Sequence, residues 1–138
     1  MRLLHTSDWH LGRAFHGVDL LAAQARYLDH LVEVVRSERV DVVVVAGDVH
    51  DRALPPVDAV RLLDDALDRL LDAGTQVVVS SGNHDSPQRL GFGARRAERA
   101  GLHVRTRVAD LDRPVLLGDR HGEVAVYALP YLEPEMVA

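Results

Sequence analysis

The chain has 138 residues, length for one domain with a useful core, and a net charge of −5, which excludes a generally basic surface for coating nucleic acid. It has no cysteine, hence no disulfide scaffold, thiolate zinc site or thiol nucleophile, and all 16 basic residues are arginine, a side chain suited to bidentate phosphate contacts. The longest apolar run, Val42 to Gly47, falls far short of the roughly 20 residues a membrane span needs, and His5, Asp8 and His10 interrupt the N-terminus where a signal peptide would be apolar. A soluble cytoplasmic protein is the expectation. Bound cations would offset the acidity locally, so net charge leaves a phosphate-bearing substrate open.

Arg2 to Thr6 reads as a first strand, followed by a Gly- and His-containing loop from Ser7 to Gly17. From Asp19 to Arg36, Leu20, Leu21, Ala25, Leu28, Leu31, Val32 and Val35 recur at helical spacing, with Asp19 as N-cap. Val40 to Ala46 is a second strand, and its consecutive valines suit a strand covered on both faces, as in a parallel α/β sheet. Pro55-Pro56 leads into a helix from Val57 to Asp72, with a stripe of Val60, Leu63, Leu67 and Leu70 and a stop at Gly74. Gln76 to Ser80 is the third strand. Ser86-Pro87 opens a helix or helical turns toward Arg99, weakened by Gly91 and Gly93. Leu102 to Arg105 is a fourth strand, and Val115–Leu117 with Val124–Ala128 form a hairpin closed by Gly118 to Gly122. The alternation predicts an α/β fold with a mainly parallel core sheet flanked by helices. Leu129 to Ala138 supplies neither a clear closing element nor a polar tail, so the chain is expected to stop inside a larger domain.

Polar, ionisable residues follow three of these strands at once: Ser7-Asp8-Trp9-His10, Gly47-Asp48-Val49-His50-Asp51-Arg52 and Gly82-Asn83-His84-Asp85. Open α/β sheets bind ligands at the carboxyl ends of their strands, so the three edges converge on one rim. In extended chain Asp8 and His10 point the same way, offering a carboxylate and an imidazole together. Asp48 brings two oxygens able to hold two cations, and Asn83 adds a neutral amide oxygen. Oxygen and nitrogen donors without sulfur suit manganese, iron or zinc, and the oxygen content favours Mn2+. His84 is placed to protonate a leaving oxygen or hold a phosphoryl oxygen, Asp51 to fix the tautomer of His84, and Arg52 to contact phosphate. Hydrolysis of a phosphate ester is the simplest chemistry such a set supports.

These motifs resemble the first three of the calcineurin-like metallophosphoesterases. His5 to Gly12, Gly47 to Pro56 and Leu129-Pro130-Tyr131-Leu132 narrow the likeness to a branch of that family, the bacterial SbcD-type nuclease subunits. The resemblance implies a metallophosphoesterase-type layered fold and an exonuclease and endonuclease dependent on manganese. It also implies processing of DNA ends and hairpins with an SbcC-type ATPase, as a homodimer of nuclease subunits within a heterotetramer. Carried over, Asp8 and His10 hold one of two divalent ions, Asp48 bridges, Asn83 holds the second, His84 lies next to the phosphate and Asp51 is its partner. His50 stands where an apolar residue is expected. The later histidines that complete both metals in the family have no match here, since His103 and His121 lie outside such motifs. The chain is therefore expected to be the N-terminal part of such a subunit and to bind metal weakly on its own; the alternatives are a metallophosphoesterase acting on small phosphodiesters or phosphoproteins, and a catalytically inactive fragment.

The remaining signals read as structural. His5, His16, His30, His103 and His121 are packed or surface residues, Trp9 covers the metal loop, with stacking on a base the alternative, and Arg95, Arg96, Arg99, Arg105 and Arg107 form a solvated basic face, with contact to backbone phosphate the alternative.

Overall fold

The computed structural model describes residues 1–137, leaving Ala138 of the expected domain span outside the described residues. In chain order the elements are β1 (Leu3–Thr6), the short pair β2 (Ala14–Phe15) and β3 (Val18–Asp19), α1 (Leu21–Glu38), β4 (Val42–Ala46), α2 (Val57–Asp72) and β5 (Gln76–Ser80). There follow α3 (Pro87–Leu90), α4 (Ala94–Ala97), a 3-10 turn at Glu98–Ala100, β6 (Leu102–Arg105), a second 3-10 turn at Val108–Asp110, β7 (Val115–Asp119), β8 (Gly122–Val126) and α5 (Pro134–Val137).

The core is a parallel sheet in the order β1-β4-β5-β6, with His5, Val44, Val78 and His103 in one row across it. Because each crossover steps in the same direction and right-handed crossovers are the rule, the helices collect on one face. Val43, Val45, Val77 and Val79 point to that face and pack with Leu28, Leu31, Val32 and Val35 of α1 and Ala59, Leu63, Ala66 and Leu70 of α2. Val42 and Val78 point the other way, against Val115 and Leu117 of the β7–β8 hairpin. The expected α/β fold with its parallel sheet and flanking helices is present, and a hairpin rather than a helix covers the second face. Among the described residues no helix is long and apolar enough to cross a membrane.

Several local expectations shift. Asp19 lies just outside α1, yet its Oδ1 accepts the Leu21 N–H at 2.8 Å and so still satisfies a free donor of the first turn. α2 begins and ends where its sequence predicts, but buries Ala59 and Ala66 rather than Val60, which is 45% exposed. The two alanines let the helix lie close to the sheet, a preference that a stripe counted only on large apolar residues overlooks. The helix expected after Ser86 breaks at Gly91 and Gly93, although the Ser86 hydroxyl caps it by accepting the Arg89 N–H at 3.2 Å. The β7–β8 pairing runs to Asp119 and Gly122, longer than expected, because the turn needs only Arg120 and His121. The β2–β3 pair interrupts the expected loop. Its turn, His16-Gly17, has positive φ at both residues, the requirement of a tight hairpin turn.

Candidate metal centre

The rim is built by main-chain bonds that continue past the strand ends. The N–H groups of Asp8, His10 and Leu11 donate to the carbonyls of Gly47, Asp48 and Val49 at 3.1, 2.9 and 2.9 Å, and Gly47 N–H donates to Ser80 O at 3.0 Å. The loops after β1, β4 and β5 are thereby locked side by side. The backbone is not extended there, contrary to the extended conformation expected to pair Asp8 with His10. Asp8, His10 and Asp48 have φ of 55°, 44° and 50°, in the left-handed region that side-chain-bearing residues avoid. Left-handed steps turn each of these side chains out of the sheet layers and toward the rim. Gly82 permits the final close approach, since a Cβ there would lie 2.1 Å from Asp48 Oδ1 and 2.3 Å from Asp48 N.

This backbone brings Asp8, His10 and Asp48 together. His10 Nε2 lies 3.7 Å from Asp8 Oδ1 and 3.7 Å from Asp48 Oδ2. These spacings exceed a hydrogen bond, and they are spans that one cation with ligand bonds of about 2.0–2.2 Å would bridge. Ligand atoms of His10, Asp48 and His84 lie within 4.8 Å of one another, and the His10 and His84 rings meet edge to face with centroids 4.9 Å apart. Three carboxylates (Asp8, Asp48 and Asp51) surround the His10 imidazole, with Asp51 Oδ1 3.2 Å from His10 Nδ1. The donor set is nitrogen and oxygen with a surplus of negative charge, and it fits a divalent cation. Asp8, Asp48 and the exposed Asn83 line one open pocket of about 310 Å³, with Leu129, Pro130 and Tyr131 as its far wall. Tyr131 N–H donates to Ser81 O at 2.7 Å and pins that wall.

His84 is held at two points. Its main-chain N–H donates to Asp48 Oδ1 at 3.0 Å, and its Nδ1 lies 2.8 Å from the main-chain carbonyl of Asp51. A carbonyl only accepts, so Nδ1 carries the proton and Nε2 is left as the atom that takes up or gives one. Asp51 does reach His84, but through its carbonyl; the carboxylate lies instead beside His10 and, at 3.9 Å, Arg13. Arg52 is exposed and makes no ion pair among the described residues.

Two supports were given no role by the sequence. The buried Asp85 carboxylate accepts three main-chain N–H groups: Val49 at 3.1 Å and Gly82 at 2.9 Å on Oδ2, and His50 at 2.8 Å on Oδ1. It ties the Asp48 loop to the Asn83 loop. Gln24 of α1 clamps the first loop, its amide donating to Trp9 O and His10 O at 3.1 and 2.8 Å while its oxygen accepts Gly12 N–H at 3.1 Å. A lone glutamine on a helix face otherwise turned to the core was the available signal. Trp9 is a core residue, with Nε1 donating to Thr6 Oγ1 at 2.9 Å. His50 is buried as well, and burial pushes its pKa down against the opposing pull of Asp85.

Comparison with known proteins agrees with this geometry. The calcineurin-like phosphoesterase family model matches residues 1–127. The chain is 39% identical over 132 residues to the SbcD component of the SbcCD nuclease of Staphylococcus saprophyticus, an alignment covering 95% of this chain and 34% of that protein. The chain thus spans about a third of the length of this curated relative. With left-handed turns delivering Asp8, His10 and Asp48 to one rim and the match running through all three loops, the chain belongs to the calcineurin-like phosphoesterase family.

Proposed function

We propose that residues 1–138 are the N-terminal part of the phosphoesterase domain of an SbcD-like nuclease subunit, which hydrolyses phosphodiester bonds at DNA ends and hairpins. The carrying observation is the placement of His10 Nε2 at 3.7 Å from oxygens of both Asp8 and Asp48. In this reading Asp8 and His10 hold one divalent ion, Asp48 is shared, and Asn83 serves a second, with Mn2+ the favoured metal. When bound, the ions supply Lewis acidity and lower the pKa of the attacking water.

The chain's own groups do the rest. His84 Nε2 donates a proton to the departing oxygen or a hydrogen bond to the phosphoryl group, and the Asp51 carbonyl at 2.8 Å keeps Nδ1 protonated for that task. Arg52 reaches for a flanking phosphate. The partners in this reading are DNA and an SbcC-type ATPase, with two copies of the nuclease subunit in a heterotetramer and the cytoplasm as the working compartment.

The test is cleavage of linear and hairpin DNA with Mn2+ by the protein containing this chain, together with the ATPase. Asp48→Ala is expected to abolish cleavage, and full cleavage by that variant refutes the assignment.

A further inference from the structure

The candidate centre leaves a group of arginines unused. α4 and residues 104–113 enclose a second pocket of about 200 Å³, whose walls carry Arg95, Arg96, Arg105, Arg107 and Arg113 against Glu98 and Asp110. Both carboxylates are already committed. Arg105, 3% exposed, places NH1 2.6 Å from Glu98 Oε1, while Arg113 lies 3.2 Å from Glu98 Oε2 and 3.4 Å from Asp110 Oδ1. Arg95, Arg96 and Arg107 make no ion pair among the described residues. An acidic chain therefore holds three uncompensated guanidinium groups around one small recess.

Beside the recess stands Phe92, 83% exposed, with the Arg96 guanidinium 5.6 Å from its ring centroid. The cation–π contact holds the ring in place between Gly91 and Gly93, which line the basic pocket, while the ring itself lines the neighbouring apolar groove with Leu54 and Val60. The pocket also shares the rim of the candidate centre. The Arg105 carbonyl accepts the Ser81 N–H at 3.3 Å, directly before Gly82-Asn83. The α3–α4 turn is pressed onto the residue after β6, since a Cβ on Gly91 would come within 2.5 Å of Thr106 Oγ1.

We infer that this recess seats one backbone phosphate of a single DNA strand, with the neighbouring base stacked on Phe92. Guanidinium forks match phosphate oxygens in pairs, and an exposed aromatic ring accepts any base by its π-face. The inference rests on the proposed action on DNA and adds a second substrate contact on the same rim.

Binding of a short fluorescent single-stranded oligodeoxynucleotide is measured by anisotropy in EDTA across a range of NaCl, which removes the metal centre from the readout. Arg95→Gln/Arg96→Gln/Arg107→Gln is expected to reduce the slope of log K against log salt by about 0.7, the share of one phosphate of a single strand. The charge-matched Arg26→Gln/Arg36→Gln/Arg39→Gln on and after α1 leaves the slope unchanged. Phe92→Leu weakens binding about 5- to 150-fold with the slope retained. No binding by the unmodified chain, or equal slopes for the pocket variant and the unmodified chain, overturns the inference. Inorganic phosphate at matched ionic strength displaces the strand no better than chloride; stronger displacement identifies a free-phosphate site and overturns the strand assignment. Mn2+-dependent hydrolysis of bis(4-nitrophenyl) phosphate is read separately, since its failure strikes the proposed function and leaves the salt slope to judge the pocket.

Discussion

Asp85→Asn removes one oxygen from a carboxylate that holds three main-chain N–H groups at 2.8–3.1 Å in a buried position. If the surviving oxygen stays on Val49 and Gly82, the new amide faces the His50 N–H donor to donor. That buried N–H then loses a charge-assisted bond worth about 1.5–3 kcal/mol, and the two remaining bonds weaken to neutral ones. A total loss of about 2–4 kcal/mol follows, a large fraction of the roughly 5–15 kcal/mol stability of a typical domain. The opposing effect is relief of repulsion with Asp48 and Asp51, which solvent at the open rim screens to a smaller value. Urea unfolding of this chain is the assay. With m of about 2 kcal/mol/M, the middle of the usual range, the midpoint falls by about 1–2 M at unchanged m. Hydrogen exchange is expected to lose protection first at Val49, His50 and Gly82. A loss under about 0.5 kcal/mol, or a gain, refutes the view that Asp85 is the tie between the two loops.

Other outcomes follow from the same geometry. Gly82→Ala puts a Cβ where Asp48 Oδ1 and N already lie, 2.1 and 2.3 Å away, so Mn2+ affinity by calorimetry is expected to fall at least about tenfold (about 1.4 kcal/mol), with overpacking costing about 1–3 kcal/mol of stability. Gln24→Leu leaves Gly12 N–H and Trp9 O unpaired, His10 O keeping the Arg13 N–H, and is expected to cost about 1–3 kcal/mol in urea unfolding while weakening Mn2+ binding through His10. Partial burial pushes the Glu98 carboxyl up, but the Arg105 and Arg113 guanidinium groups outweigh it and hold the pKa below its usual value. A depressed carboxyl stabilises the fold fully above its unfolded pKa, and that contribution disappears as pH falls through the folded value. Glu98→Gln is therefore expected to flatten the acid limb of a stability-against-pH curve and to leave its slope above neutral pH unchanged.

Legibility in the sequence followed the periodicity of the signal. The valine-rich β4 and β5 and the span of α2 were plain because apolar clustering and flanking Pro or Gly dictate them locally. The break between α3 and α4 was half-visible, since Gly91 and Gly93 marked weakness without fixing the stop. Asp8, His10 and Asp48 were identifiable by residue type, but the left-handed backbone that joins them was not, because it comes from pairing between loops distant in sequence. The same reason hid Gln24 and Asp85. Apart from the local bond from Gly82 to Asp85, their roles consist of main-chain partners 12 to 36 residues away, which no local pattern encodes.

Left-handed φ at Asp8, His10 and Asp48 shapes how this chain responds to selection. Each such residue costs about 1–2 kcal/mol relative to an ordinary conformation, aspartate somewhat less, and glycine would be relieved of nearly all of it. A screen rewarding heat resistance alone would drift toward Asp8→Gly, His10→Gly or Asp48→Gly and harvest hardier but cation-blind descendants. Robustness and chemistry pull on the same three backbone torsions, in opposite directions.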